Sequence, residues 1–287
     1  MNEIMIEYLL ELKEELDKVN VPFILGGGMG LYLRSQYGKS SPQPRYPFPL
    51  ELRATQDLDV FLTSEVIVAA DKMESLKATL KKLDYVASDE AKYFQFIKKV
   101  VVGGNAQDLK VDFLAAPPRE GDLKKVKIKP PRIRSRDVEG MHAYLTDEAA
   151  GIDFETYPVT IPTEKSSQTV HVPSAFNYLV LKLYAFHDRK DRDDPKSDRG
   201  RHHAFDIFKT VCTMGENDWD TAKRHHARDK DATYLKKAIE ICKADFSSPT
   251  AVGVLRLREN TDYQKWGGAY APFLETFIQD LGKLFRE

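Results

Sequence analysis

Residues 23–62 read FILGGGMGLYLRSQYGKSSPQPRYPFPLELRATQDLDVFL, and this stretch decides the fold. A short apolar run enters Gly26, Gly27 and Gly28, and the chain later returns in the extended-looking DLDVFL. Side chains alternate along a strand, so Asp57 and Asp59 share one face and Leu58 takes the other. Two carboxylates held side by side repel each other unless something positive joins them. A divalent cation meets that need directly.

Outward from this stretch, hydrophobic spacing lays out the rest of the chain. Ile6, Leu9, Leu10, Leu16 and Val19 predict an amphipathic helix over 3–19, and VPFILGG predicts a short buried strand. GMGLYLRSQ reads as the helix that leaves the glycine turn. Residues 35–53, with four prolines, read as a loop longer than compact domains usually carry. After DLDVFL, a helix is expected from Ser64, its N-cap, to Tyr85. KYFQFIKKVVV and LKVDFLAA read as strands joined by the turn GGNAQD. LKKVKIKPPRIRSRDVEG is basic and interrupted by prolines; YPVTIP and QTVHVP look like short edge strands. After Pro173 the pattern turns helical: SAFNYLVLKLYAFHDR, capped by Ser174, then 201–214, 218–227, 231–243 and 269–285. The expected fold class is α+β: a mixed sheet with flanking helices over 1–170, followed by a helical domain over 171–287.

Composition narrows the function. The chain has 287 residues, 42% apolar and 30% charged, with 43 Lys plus Arg against 44 Asp plus Glu. No global charge announces a nucleic-acid or membrane partner. Cys212 and Cys242 lack CxxC spacing, which argues against a disulfide framework and a zinc knuckle. The acidic N-terminal stretch does not read as a signal peptide, and no apolar run is long enough to span a bilayer. These features predict a cytoplasmic protein without a membrane partner.

In LKVDFLAA, Leu109, Val111 and Phe113 share one face and Asp112 the other. If this strand neighbours DLDVFL, Asp112 joins Asp57 and Asp59 in a carboxylate cluster. Such a cluster suits Mg²⁺ or Mn²⁺, hard cations that prefer oxygen ligands and nucleotide phosphates. Gly27 and Gly28 let backbone N–H groups approach a triphosphate at a helix start.

The ordered pattern GGGMGLYL…RATQDLDVFL…KVDFL resembles the DNA polymerase β-like nucleotidyltransferase superfamily. That superfamily pairs a glycine turn with a D-x-[D/E] strand and a third carboxylate. The bracket Arg53, Thr55, Asp57, Asp59 is more narrowly similar to the AbiEii-type toxins of abortive-infection and type IV toxin–antitoxin systems. The resemblance covers roughly residues 20–115 and 170–211. It implies a nucleotidyltransferase fold, with Asp57, Asp59 and Asp112 as catalytic metal ligands. It also implies that Gly27, Gly28, Arg53, Thr55, Lys182 and Asp206 contact an NTP co-substrate. Where relatives tend to show K-D-x-x-D, this chain has HHAFD, so His203 stands at the first acidic position.

The expected activity is metal-dependent transfer of an NMP from an NTP to an acceptor hydroxyl. The resemblance points to a tRNA 3′ end or another RNA as acceptor, and to a cognate antitoxin as protein partner. The alternatives are a small molecule of the antibiotic type, a protein hydroxyl, or a nucleotide-binding module without turnover. The helix bearing Lys182 is expected to turn Tyr178 and Arg189 to the same side, with Leu179, Leu183 and Phe186 inward. Lys190 lies roughly 80° further round. His202, His203 and Asp206 have a spacing that also admits a metal, although a plain surface cluster is the commoner meaning. The basic run Lys124 to Arg136 is either a solvated hairpin or a site for an acidic polymer.

Overall fold

The structure, a computed structural model, describes residues 2–38, 57–91, 93–102, 104–163, 166–192, 194, 197–265 and 267–285. The first part alternates helix and strand: α1 (Asn2–Lys18), β1 (Ile24–Leu25), α2 (Gly27–Tyr37), β2 (Asp57–Leu62), α3 (Ser64–Val68) and α4 (Ala70–Lys82). There follow β3 (Val86–Ala87), β4 (Gln95–Val102), β5 (Asn105–Ala115), β6 (Val126–Lys129), β7 (Arg132–Ser135), β8 (Ala143–Leu145), β9 (Tyr157–Pro162) and β10 (Ser167–Val172). Helices then run to the end: α5 (Ala175–Arg189), α6 (Arg201–Thr213), α7 (Glu216–Asp229), α8 (Thr233–Asp245), α9 (Val252–Glu259), α10 (Thr261–Lys265), α11 (Gly267–Tyr270) and α12 (Leu274–Leu284). The expected α+β class is the observed one. Packing divides the chain into two units, one ending at Pro173 and one that runs on from Ser174.

Among the described residues the first unit holds a ten-stranded mixed sheet, ordered β6-β7-β8-β5-β2-β1-β10-β9, with β4 also on β5 and β3 on β4. The pairs β2–β5, β5–β8 and β1–β10 are parallel. One face of the sheet is the core. Leu58, Val60 and Leu62 of β2, and Leu109, Val111, Phe113 and Ala115 of β5, are buried on it. α3 packs against β2 and β7, and Lys98 of β4 meets Glu11 of α1 at 2.9 Å on the same side. Register assigns Asp57, Asp59, Phe61, Lys110, Asp112 and Leu114 to the opposite face. There α2 lies over the β1–β2 end, so close that a Cβ built on Gly26 stands 2.3 Å from Phe61 Cε2.

Several boundaries differ from the sequence reading. The helix expected from Ser64 breaks at Ala69, whose ψ of 109° is extended, after Val66, Ile67 and Val68, three β-branched residues that helices tolerate poorly. Thr63, not Ser64, is its N-cap, without a side-chain cap bond; Ser64 Oγ donates to Asp122 Oδ2 at 3.4 Å instead. The GGNAQD turn is tighter than expected, since Val102 pairs with Asn105 and Gly104 sits at φ +83°. β10 is interior, between β1 and β9, because Val170 and Val172 bury one of its faces.

In the second unit the Ser174 cap forms as expected, its Oγ accepting from Asn177 N at 3.3 Å. α5 and α6 pack together through an apolar core that includes Phe176, Leu179, Leu183, Phe186, Phe205 and Phe208. The expected helix over 269–285 is interrupted by a 3₁₀ turn at Ala271–Phe273, which contains Pro272. α9 is a helix that the apolar spacing does not announce.

Candidate active site

β2 and β5 run parallel with Asp59 opposite Asp112 and Asp57 opposite Lys110. Cross-strand partners point to the same side of a sheet, so the three aspartates the sequence singles out stand on one face. Gln95 of β4, the partner of Asp112 on its other side, donates through Nε2 to Asp112 Oδ1 at 2.8 Å. Burial pushes the Asp112 carboxyl above its ordinary range, and the nearby charge of Asp57 pushes the same way. The Gln95 bond and Lys110 pull less strongly in the other direction. The result is a carboxylate disposed to take up a proton or to gather a cation.

The glycine turn supplies the other wall. Gly26 N donates to the Asp59 carbonyl at 2.7 Å, which ties the turn to β2. Gly27 adopts φ +60°, and a Cβ there would fall 1.8 Å from Asp59 Oδ2. Only glycine lets the Asp59 carboxylate lie against the start of α2. The first N–H groups of a helix have no partner within it, so the start of α2 at Gly27 and Gly28 is an end that favours an anion.

The donor set of Asp57, Asp59 and Asp112 is all hard oxygen, which suits Mg²⁺ or Mn²⁺. Among the described residues no three His, Cys, Asp or Glu side chains stand close enough together to hold a metal by themselves. Arg53 and Thr55 lie outside the described residues.

Lys182 and Asp206 belong to the second unit and meet there: Lys182 Nζ lies 2.9 Å from Asp206 Oδ2. A third residue, unforeseen from sequence, completes the group. Lys209, 3% exposed, reaches Asp206 Oδ1 at 3.1 Å. Burial opposes the Asp206 charge, but the two ammoniums win and hold its carboxyl far below the usual carboxylate range. Both ring nitrogens of His203 are buried and unbonded among the described residues. Burial, aided by Lys182 and Arg189, brings its pKa down to about 3, so the imidazole is neutral. Tyr178, expected beside Lys182 on an outer stripe, is fully buried.

Lys110 was legible in sequence, two residues before Asp112 on the same strand; Gln95 was not, because only the β4–β5 pairing brings it to Asp112. For Lys209 the signal was its i+3 spacing from Asp206.

A family model described as nucleotidyltransferase matches residues 41–228 of the chain. Three solved structures are similar at low identity. The antibiotic-resistance factor ANT(2'')-Ia is 12% identical, with coverage of 83% of this chain and 97% of its own and a TM-score of 0.38. An antigenic nucleotidyltransferase-like protein from Paracoccidioides brasiliensis is 15% identical, with coverage of 81% and 89% and a TM-score of 0.40. A protein from H. pylori assigned as a nucleotidyltransferase is 14% identical, with coverage of 100% and 97% and a TM-score of 0.38. A comparison with curated proteins finds no match. Among the described residues no helix is long and apolar enough to cross a membrane.

Proposed function

The chain belongs to the nucleotidyltransferase family, and from that premise we propose that it transfers an NMP from an NTP to an acceptor hydroxyl at the face bearing Asp57, Asp59 and Asp112. One observation carries this reading: Asp59 stands in register with Asp112 while Gly27 makes room for the Asp59 carboxylate. Asp57 and Asp59 are the ligands for Mg²⁺ or Mn²⁺, which when bound offsets the charge of the transferring phosphoryl group. Mg²⁺ is commonly held by one or two carboxylates together with substrate phosphates, so this set suffices.

The chain's own groups then position and move a proton. First-turn N–H groups at Gly27 and Gly28 receive phosphate oxygens. Asp112, with its raised proton affinity, accepts the proton of the acceptor hydroxyl. The hydroxyl oxygen bonds to the α-phosphorus, the bond from that phosphorus to the bridging oxygen breaks, and pyrophosphate leaves. Catalysis of this kind is mostly positioning and electrostatics. By resemblance, Arg53, Thr55, Lys182 and Asp206 take part in nucleotide binding. Two ammoniums and one carboxylate leave the Lys182–Asp206–Lys209 group with one net positive charge, which favours an anionic ligand.

By the same resemblance the acceptor is an RNA end, a tRNA 3′ end first, and the protein acts in the cytoplasm as a toxin held in check by an antitoxin. Incubation with each labelled NTP, Mg²⁺ and total RNA tests the reading. Labelled RNA is expected from the wild-type chain, and none from Asp57→Asn or Asp59→Asn chains that keep their circular dichroism. Turnover near the wild-type rate in either variant overturns the metal assignment. Label on small molecules or protein alone overturns the RNA acceptor.

A further inference from the structure

Beyond Asp112 the same sheet face continues into a row of cations. Leu114 of β5 pairs with Tyr144 of β8, Tyr144 with Arg132 of β7, and Arg132 with Lys129 of β6. Partners share a face, so Leu114, Tyr144, Arg132 and Lys129 form one line across four strands, on the side of Asp57, Asp59 and Asp112. Lys127 pairs with Arg134 in the next row of the hairpin. Strands are ~4.8 Å apart, so each step along the line advances by that amount away from the carboxylates.

The opposite side is packed over β7 and β8, with Ile133 and Ala143 fully buried and α3 against β7; on β6 Ile128 stays exposed there. The basic side is open. Lys127 and Lys129 are exposed and Arg132 half-buried. None of the three makes an ion pair among the described residues, unlike Arg134, which pairs with Glu139 at 3.8 Å and whose Nη1 also donates to the Ser135, Arg136 and Val138 carbonyls. Between this row and Asp112 stands Tyr144, 39% exposed. Its ring is braced edge-to-face by Phe94 with centroids 5.5 Å apart, so it is offered to solvent without being loose.

A file of unpaired cations beside a braced, exposed aromatic ring matches how proteins hold single-stranded nucleic acid: cations follow the backbone and a base stacks on the ring. An acidic peptide would use the cations and gain little from the ring. We propose that this face binds a single strand of nucleic acid, with phosphates on Lys127, Lys129 and Arg132 and a base on Tyr144, its end directed at Asp112. What happens at that end rests on the nucleotidyl-transfer reading; the binding does not.

The test is fluorescence anisotropy of a short labelled single-stranded RNA with the full chain, without NTP or metal, over a series of salt concentrations. Lys127→Gln/Lys129→Gln/Arg132→Gln is expected to lower the slope of log affinity against log salt by about 2, at about 0.7 for each single-strand phosphate no longer neutralised. Tyr144→Ala should weaken binding about 5- to 150-fold at an unchanged slope, and Tyr144→Phe should retain it. Asp59→Asn should bind RNA as the wild type does and transfer nothing. Wild-type affinity in both the triple variant and Tyr144→Ala overturns the surface and leaves the transfer reading standing. Equal loss of RNA and polyglutamate binding in the triple variant, with no effect of Tyr144→Ala, overturns it in favour of an acidic protein partner. RNA binding that follows the predicted pattern in a chain with no transferase activity supports the surface and sinks the transfer reading instead.

Discussion

At the scale of single residues the site depends on Gly27 and Asp112. An L-residue at φ +60° costs about 1–2 kcal/mol, and the Cβ of alanine at position 27 would lie 1.8 Å from Asp59 Oδ2. Gly27→Ala is therefore expected to cost stability of that order and to abolish NMP transfer as fully as Asp59→Asn; denaturant midpoints and a transfer assay check both. Asp112 behaves oppositely. Its folded carboxyl holds a proton more tightly than an unfolded one, so its contribution to stability is complete below the ordinary aspartate value, about 3.9, and is lost as pH rises through the folded value. Asp112→Asn should then be more stable than the wild type at neutral pH, with the gap closing in acid, while transfer is lost. Urea midpoints that differ equally at both pH values would refute this origin of the effect.

At the scale of elements, α5 carries two lysines that look alike in sequence and are not. Lys182 shares Asp206 with Lys209. Lys190, which helical spacing places roughly 80° further round from Lys182, donates to both oxygens of the buried Asp245 at 2.7 and 2.8 Å. Removing one partner of a buried pair strands the other charge, at about 3–5 kcal/mol. Lys190→Ala is expected to destabilise the second unit by about 3 kcal/mol and leave NTP affinity unchanged. Lys182→Ala should spare the fold, because Lys209 still neutralises Asp206. It should lower NTP affinity about 10- to 150-fold if one charge-assisted bond of about 1.5–3 kcal/mol is lost. Calorimetry of unfolding and of NTP binding separates the two.

At the scale of the whole molecule, acid and ligand are the levers. His203 has a folded pKa of about 3 against about 6.5 when unfolded. Its stabilising contribution is complete above the unfolded value and declines as pH falls from about 6.5 toward about 3, since only the unfolded chain takes up the proton. Between pH 7 and pH 5 the wild type should lose on the order of 1–2 kcal/mol that a His203→Gln chain does not lose. His142, lowered to about 4 by burial and by Arg132 and Arg134, adds to the same window. A ligand that binds only the folded chain stabilises it by about 2.7 kcal/mol at a hundred times its dissociation constant. NTP should therefore raise the melting temperature only with Mg²⁺ or Mn²⁺ present; an equal rise in EDTA would assign NTP binding to cations of the protein alone.

The sequence by itself determined what depends on near neighbours in the chain. Two-residue alternation fixed the shared face of Asp57 and Asp59 and the strand Asp57–Leu62, and 3.6-residue spacing with the Ser174 cap fixed α5. Such patterns are written in each segment because a strand or helix face must match its own burial. Tertiary structure alone decided the pairings between distant segments. It set Asp59 opposite Asp112, brought Gln95 to Asp112, pressed Gly27 against the Asp59 carboxylate, and gave Lys190 to Asp245. It also turned the basic run into strands whose cations share the aspartates' face. Register is chosen by the burial of the whole sheet, and a salt bridge by which helices pack. Neither choice can be read in the spacing of one segment.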